Sequence, residues 1–427
     1  MRPMLKAALR RSWRGRACVQ FGVDPERAVV LEPVDGAEAG FLDLLDGTRG
    51  GETLLRDAAA LGLGPDRVRR LLGVLARGGV LDDAAAHAPL SAAVRHRTAA
   101  LDRLRPDLAA LSLLHPAPGA AAARIRHRRA ARVRVHGAGR VGAQVAALLS
   151  AAGVGAVDLL DGGRVEPWDT APGGIPAEHV GDRRDAAGRG AVRRAAPDLK
   201  GVGAAADRSG PSAERGGAGG GRGAGPGPVV AVLAPRDGLA AYAPEPAEAR
   251  RLVASGVPHL YTGVVEGLGV VGPLVVPGRT ACGECLALKL ADGDPHWPRM
   301  LAQLRSGRQP AVPACDVAQA TAVAGLAAAH VLAHLDGRPA PGLGARVELS
   351  LARLATRTRA LPADPRCGCG AAGAAPWPGG PWAGGPWPGG PWPGESADGA
   401  DEDKARSRAA SDALFAGASV GRGTMAM

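Results

Sequence analysis

Lysine is almost missing from this chain: it occurs only at Lys6, Lys200, Lys289 and Lys404, although lysine and arginine together number 52 of 427 residues. The basic charge is nearly all arginine, spread through a sequence heavy in Ala, Gly and Pro. It reads as a bias of genomic base composition more than as a surface selected for charge. Aromatic residues are equally scarce, at 3%. A nucleic-acid binder gathers basic residues on one face with aromatics between them. Here the arginines are scattered and often sit beside acids, so the net charge of +11 does not argue for nucleic acid. No apolar stretch follows Arg10, Arg11, Arg14 and Arg16 as it would in a signal peptide, and no run approaches a membrane span, so a cytoplasmic protein is expected. Six cysteines are too few for a disulfide framework in a chain of this length, and four of them fall into two close pairs, which suits a metal better.

What is present is enough to fold. With 46% apolar residues the chain can build two folded units with flexible segments between and behind them. Residues 17 to 32 carry two short apolar runs split by turn residues, a hairpin pattern. Leu and Val then recur at helical spacing over Glu38 to Leu45, Gly51 to Ala60 and Pro65 to Arg77, and Gly78-Gly79-Val80-Leu81 closes the pattern like a wing. Residues 1 to 84 therefore read either as a small winged-helix-like α+β domain or as a helical cap on the main domain. Residues 85 to 130 read as a linker with a helix. Two low-complexity stretches, a Gly/Ala/Arg-rich insert at 201 to 227 and a tail at 371 to 427 with Trp-Pro-Gly-Gly repeats, are expected to stay disordered.

Beyond residue 130 the pattern becomes strand, glycine loop, helix, strand. Val133 to His136 leads into Gly137-Ala138-Gly139-Arg140-Val141-Gly142 and the apolar helix Ala143 to Ala151; Ala156 to Leu160 then forms a second strand ending at Asp161. Glycines there let a backbone approach a phosphate, the helix N-terminus offers free N–H groups, and an acid at the end of the next strand can accept from ribose hydroxyls. Gly137, Gly139, Arg140, Gly142 and Asp161 are thus the candidate nucleotide residues. Cys282-Gly283-Glu284-Cys285 and Cys367-Gly368-Cys369 supply two thiolate pairs, the donor set of a closed, structural zinc site. Cys315, just before an apolar helix, has two readings. A helix N-terminus lowers a thiol pKa and makes a nucleophile, whereas a small buried hydrophobe is the bland alternative. Cys18 and His259 read as structural.

Taken together, these motifs resemble the ThiF/E1 superfamily, the ubiquitin-like modifier-activating and MoeB/ThiF proteins, over about residues 130 to 370. The segments Trp168 to Ile175 and Val180 to Ala187 look like the version found in actinobacterial members, with Arg183 or Arg184 standing where the family offers a Lys to the phosphates. The resemblance implies a Rossmann-like α/β nucleotide-binding domain with a zinc knuckle at 131–370. It also implies ATP and magnesium as cofactors, Asp237 as the closest match to the family's magnesium acid, a small protein or peptide with an activatable carboxylate as partner, and a homodimer. The implied activity is adenylyl transfer, with Arg183, Arg184, Asp237 and Cys315 as catalytic candidates; Cys315 would accept the adenylated carboxylate as a thioester. This sequence departs from the family in carrying Gly163, Asp169 and Pro172 where a second acid and an Asn…Arg pair are usual. Two rivals follow: a member that no longer adenylates and serves as a peptide-binding partner of a peptide-modifying enzyme, and an NAD-binding oxidoreductase.

Overall fold

The computed structural model describes residues 1–87, 98–197, 230–236, 238–307 and 312–374. The chain divides into Met1–Trp382 and Ala383–Met427. The second unit, the insert at 201–227 and all but the first residues of the expected tail lie outside the described residues.

The N-terminal part begins with β1 (Pro3–Leu5), then β2 (Arg11–Gly15), β3 (Cys18–Phe21) and β4 (Val29–Leu31), the last three forming an antiparallel sheet in the order β2-β3-β4. Three helices follow, α1 (Gly36–Leu44), α2 (Gly51–Ala60) and α3 (Pro65–Arg77), where the apolar periodicity places them. Asp35 starts α1 with a reciprocal capping box: it accepts from the Glu38 amide at 2.8 Å, while Glu38 accepts from the Asp35 amide at 3.2 Å. The apolar stripes meet in one core in which Phe41, Leu54, Val68 and Leu75 pack with Val19 and Phe21 of the sheet. Beyond α3 the chain departs from the wing expectation. β5 (Leu81–Asp83) pairs antiparallel with β1 instead of folding into a hairpin of its own, because Val80 and Leu81 are buried and β1 supplies the missing ladder.

Two helices, α4 (Thr98–Leu114) and α5 (Ala120–Ala130), stand where one was expected, separated by a Pro- and Gly-containing turn. They tie the front part to the rest: buried Lys6 donates through Nζ to the carbonyls of Ser112 at 2.5 Å and Pro116 at 3.1 Å, and Asp82 accepts from the Gly119 amide at 2.7 Å.

The main sheet has seven strands in the order β12-β11-β10-β9-β8-β6-β7. Four of them, β6 (Arg132–His136), β7 (Ala156–Leu160), β8 (Val230–Leu233) and β9 (His259–Val265), run parallel. The others, β10 (Leu268–Val275), β11 (Ala345–Ser350) and β12 (Ala355–Ala360), continue antiparallel. The near-continuous Val and Leu runs of β8 to β10 are what a sheet covered on both faces requires. Its covering helices include α6 (Gly142–Ala151), α7 (Arg184–Ala195), α8 (Pro246–Ala254), α9 (Gly283–Gly293), α10 (Trp297–Ser306) and α11 (Val317–Leu335). The last corrects the reading that no segment reaches the length of a membrane span, for α11 is long and apolar enough by length and composition. Its Ala and Val residues are nonetheless packed in the core with Val271 and Leu274 of β10, as the central helix of a globular domain.

Because the chain passes from β6 to β7 on one side and later to β8 on the other, strand order reverses at β6. The crevice at the C-terminal end of β6 is therefore where an open α/β sheet presents its ligand site.

Candidate functional site

The glycine loop lies in that crevice. Gly137 follows β6 with a φ of 105°, and a Cβ there would stand 1.9 Å from the Ala234 carbonyl oxygen at the end of β8. Its amide donates to the Leu160 carbonyl at 2.8 Å, and the Ala234 amide donates to the His136 carbonyl at 2.8 Å, so the loop is wedged between the ends of β7 and β8. At Gly142, the first residue of α6, a Cβ would come within 2.0 Å of the Gly137 carbonyl oxygen. These two glycines serve packing. Gly139 differs, since its nearest neighbour would be the Arg236 side chain at 3.3 Å, and it borders the crevice. Accordingly Gly137→Ala should cost about 3 kcal/mol of stability and Gly139→Ala less than about 1 kcal/mol, which urea unfolding of the two variants will check; equal costs would contradict this division of roles.

Asp161, at the end of β7, accepts from the Ala138 amide at 2.5 Å through Oδ2 and from Arg184 Nε at 3.0 Å through Oδ1. The acid expected at a ribose thus also braces the loop. Of the two adjacent arginines only Arg184 reaches this cluster, with a side chain 12% exposed. It also donates to Asp169 at 3.1 Å and to the carbonyls of Gly162 and Arg164 at 2.7 and 3.1 Å. Arg183, one residue before α7, points to solvent with its side chain 73% exposed and pairs with Asp185. Arg140 donates to the Cys315 carbonyl at 2.8 Å, drawing that segment over the loop. Asp237 lies outside the described residues.

Of the two readings of Cys315, the geometry favours the small buried hydrophobe packed against the core. Asp316 caps α11 by accepting from the amides of Ala318 and Gln319 at 2.8 and 3.1 Å, so a carboxylate already occupies the helix terminus. Burial outweighs the opposing Arg140 charge and, with Asp316 adding to it, pushes the Cys315 thiol up instead of down.

Three site residues escaped the sequence reading as ligand-facing groups. Asp169 is 1% exposed and holds Arg184 on one oxygen and Arg236 Nε on the other, at 2.6 Å. The Arg236 guanidinium carbon lies 5.9 Å from the centre of the Trp168 ring. The signal was faint: Arg236 sits just past the end of a parallel strand, a position that favours ligand contact, but Asp237 beside it drew the assignment. Gly139, Arg140, Trp168, Asp169, Arg236 and Cys315 together enclose a crevice of only about 10 Å³, scarcely room for one water. A wider groove of about 600 Å³ begins at Thr170, runs along the 170–177 loop and ends at Ala191, Arg194 and Ala195 of α7.

The cysteine pairs do converge. All four sulfurs lie within 4.8 Å of one another, with Cys282 to Cys285 at 4.0 Å, Cys282 to Cys367 at 3.6 Å and Cys285 to Cys369 at 3.7 Å. Four thiolates around zinc at about 2.3 Å stand about 3.8 Å apart, so the residues fit a tetrahedral ion. Cys282 immediately precedes α9, Cys285 lies in its first turn, and the second pair sits in the turn after β12. The hydrogen bond to Cys285 and burial push the Cys282 thiol up, burial raises Cys367, and their donated hydrogen bonds draw Cys285 down. An ion held there would have four protein thiolates as ligands and no open position, the ligand set of a structural site.

The ThiF family model matches residues 119–371. Solved structures of E. coli MccB are similar: one with MccA-N7isoASN has 14% identity and a TM-score of 0.58 and covers 87% of this chain and 100% of its own. Another with ATP has 14% identity and a TM-score of 0.58, covering 86% and 99%. A heterocyclase in complex with substrate and cofactor has 16% identity and a TM-score of 0.55; the match covers 86% of this chain and 39% of the heterocyclase. No curated protein sequence matches the chain. At such identities the structural likeness speaks for the fold.

Proposed function

The chain belongs to the ThiF family, and from that premise we propose that it is an ATP-dependent adenylyltransferase that activates a carboxylate of a peptide. The observation that carries the reading is the placing of the glycine loop, the α6 N-terminus, Asp161 and a set of arginines together at the switch point of the sheet. A carboxylate oxygen bonds to the α-phosphorus while the bond to the β-phosphate oxygen breaks, and pyrophosphate leaves with that electron pair. Negative charge builds on the phosphates, and fixed guanidiniums with a helix N-terminus are suited to hold it. Magnesium would accompany the polyphosphate. The groove that starts at Thr170, next to Asp169, supports a peptide as the acyl donor, for it leads from the ion cluster along α7 toward Arg194.

ATP–pyrophosphate exchange by the metal-loaded protein, with peptides as carboxylate donors, tests this. Exchange is expected, and Asp161→Ala is expected to lower it by about 100-fold or more through lost positioning. A protein that binds nucleotide but catalyses no exchange with any donor would sink the enzyme reading.

One observation favours a second reading, a peptide-binding partner protein that does not adenylate. Asp161, Arg184, Asp169 and Arg236 already pair with one another, and the crevice above the loop is close to filled. A nucleotide enters only if some of these pairs open. The family match leaves the oxidoreductase alternative without support.

A further inference from the structure

The arginines around the crevice are not equivalent. Arg184 is wrapped by two carboxylates and two carbonyls, so turning it toward a ligand breaks contacts on every side. Arg140 is committed through Nη1 to the Cys315 carbonyl. Arg236 is held, among the described residues, through Nε alone, by Asp169. Its Nη2 is buried with no hydrogen-bond partner among the described residues, yet its side chain keeps 33% exposure. Arg140 Nε and Trp168 Nε1 are buried and unpartnered in the same way. Among the described residues, three guanidiniums thus share two carboxylates beside a helix N-terminus. A group of this composition is incomplete without an anion.

We propose that Arg236 is the residue that takes the polyphosphate of the nucleotide, exchanging Asp169 for the ligand and travelling over Gly139 along the Trp168 ring. The proposal rests on the nucleotide reading above and names the cation for it. Gly139 keeps the track open, since a Cβ there would stand 3.3 Å from Arg236 Cγ. Asp169 is not stranded when Arg236 leaves, because Arg184 still holds its other oxygen. Arg183 and Arg184, where the family resemblance puts the phosphate cation, are respectively in solvent and locked in the brace of the loop.

Calorimetric titration of the full-length protein with ATP and, separately, with adenosine decides the matter. Arg236→Gln keeps an N–H donor at the position of Nε, which bonds Asp169, but removes the charge and the outer guanidinium nitrogens. It should weaken ATP about 30-fold and change adenosine by less than about twofold, and Arg236→Lys should recover part of the loss. If Arg236→Gln binds ATP as the wild type does, or weakens ATP and adenosine equally, Arg236 is a structural residue and the proposal fails while the nucleotide reading stands. A wild type that binds neither ligand overturns both.

Discussion

Stripping the metal from the four-thiolate site will lower the melting temperature by about 10–20 °C, the equivalent of about 5 kcal/mol or more in a domain of this size. The sulfurs sit inside a small core of their own, in which Leu233, Tyr261, Val275, Leu286 and Leu361 pack around Cys282, Cys285 and Cys367. An ion there would join the start of α9 to the turn after β12, segments more than eighty positions apart in the chain. Without it, four crowded sulfurs lack a common partner, and that cluster loses its centre. The measurement is a thermal melt of the reduced protein before and after treatment with a strong chelator, with bound zinc quantified in parallel. One zinc per chain is expected. Cys285→Ser should reproduce the loss, whereas Cys315→Ser, outside the cluster, should keep full metal content. An unchanged melt after complete removal of the ion would refute a structural role, and a loss of metal in Cys315→Ser would refute the ligand set.

The parts of this fold that could be read from the sequence are those set by neighbours within a few residues. The helical spacing of Phe41, Leu54, Val68 and Leu75 and the turn of glycines between β6 and α6 are local signals. The CxxC and CxC pairs are local too, and thiolate chemistry supplies the rest. What stayed hidden depends on distance along the chain. Nothing near Asp169 announces that Arg236, 67 residues later, will close on it. Arg183 and Arg184 are chemically identical in the sequence, and only the turn at the start of α7 sends one into the cluster and the other into water. The sequence left two readings of Cys315 open, and the Asp316 carboxylate that takes the terminal amides weighs against the nucleophile. Strand order was likewise invisible where β5 left α3 for β1.

The same long reach makes Asp336→Ala the second large effect to expect, at about 3–5 kcal/mol. Asp336, at the end of α11, is fully buried and receives Arg128 of α5 in a two-pronged pair, Nε to Oδ1 at 2.8 Å and Nη2 to Oδ2 at 2.6 Å. Removing the carboxylate leaves a guanidinium in the interior, where Asp107 at 3.9 Å is a poor substitute. The surroundings resist extra positive charge: burial already pushes His115 and His334 down to about 4, and it lowers Arg338 as well. The cost comes from the stranded charge more than from the lost attraction, so deleting both ends should be far milder than the sum of the single changes. Arg128→Met combined with Asp336→Leu is expected to stay within about 2 kcal/mol of the wild type, since apolar replacements of similar size avoid the desolvation of two ions. Urea unfolding of both single variants and the double variant gives the coupling directly. A near-zero coupling, or an Asp336→Ala cost below about 1 kcal/mol, would mean that water reaches the pair and that α5 and α11 are held together by their apolar contacts alone.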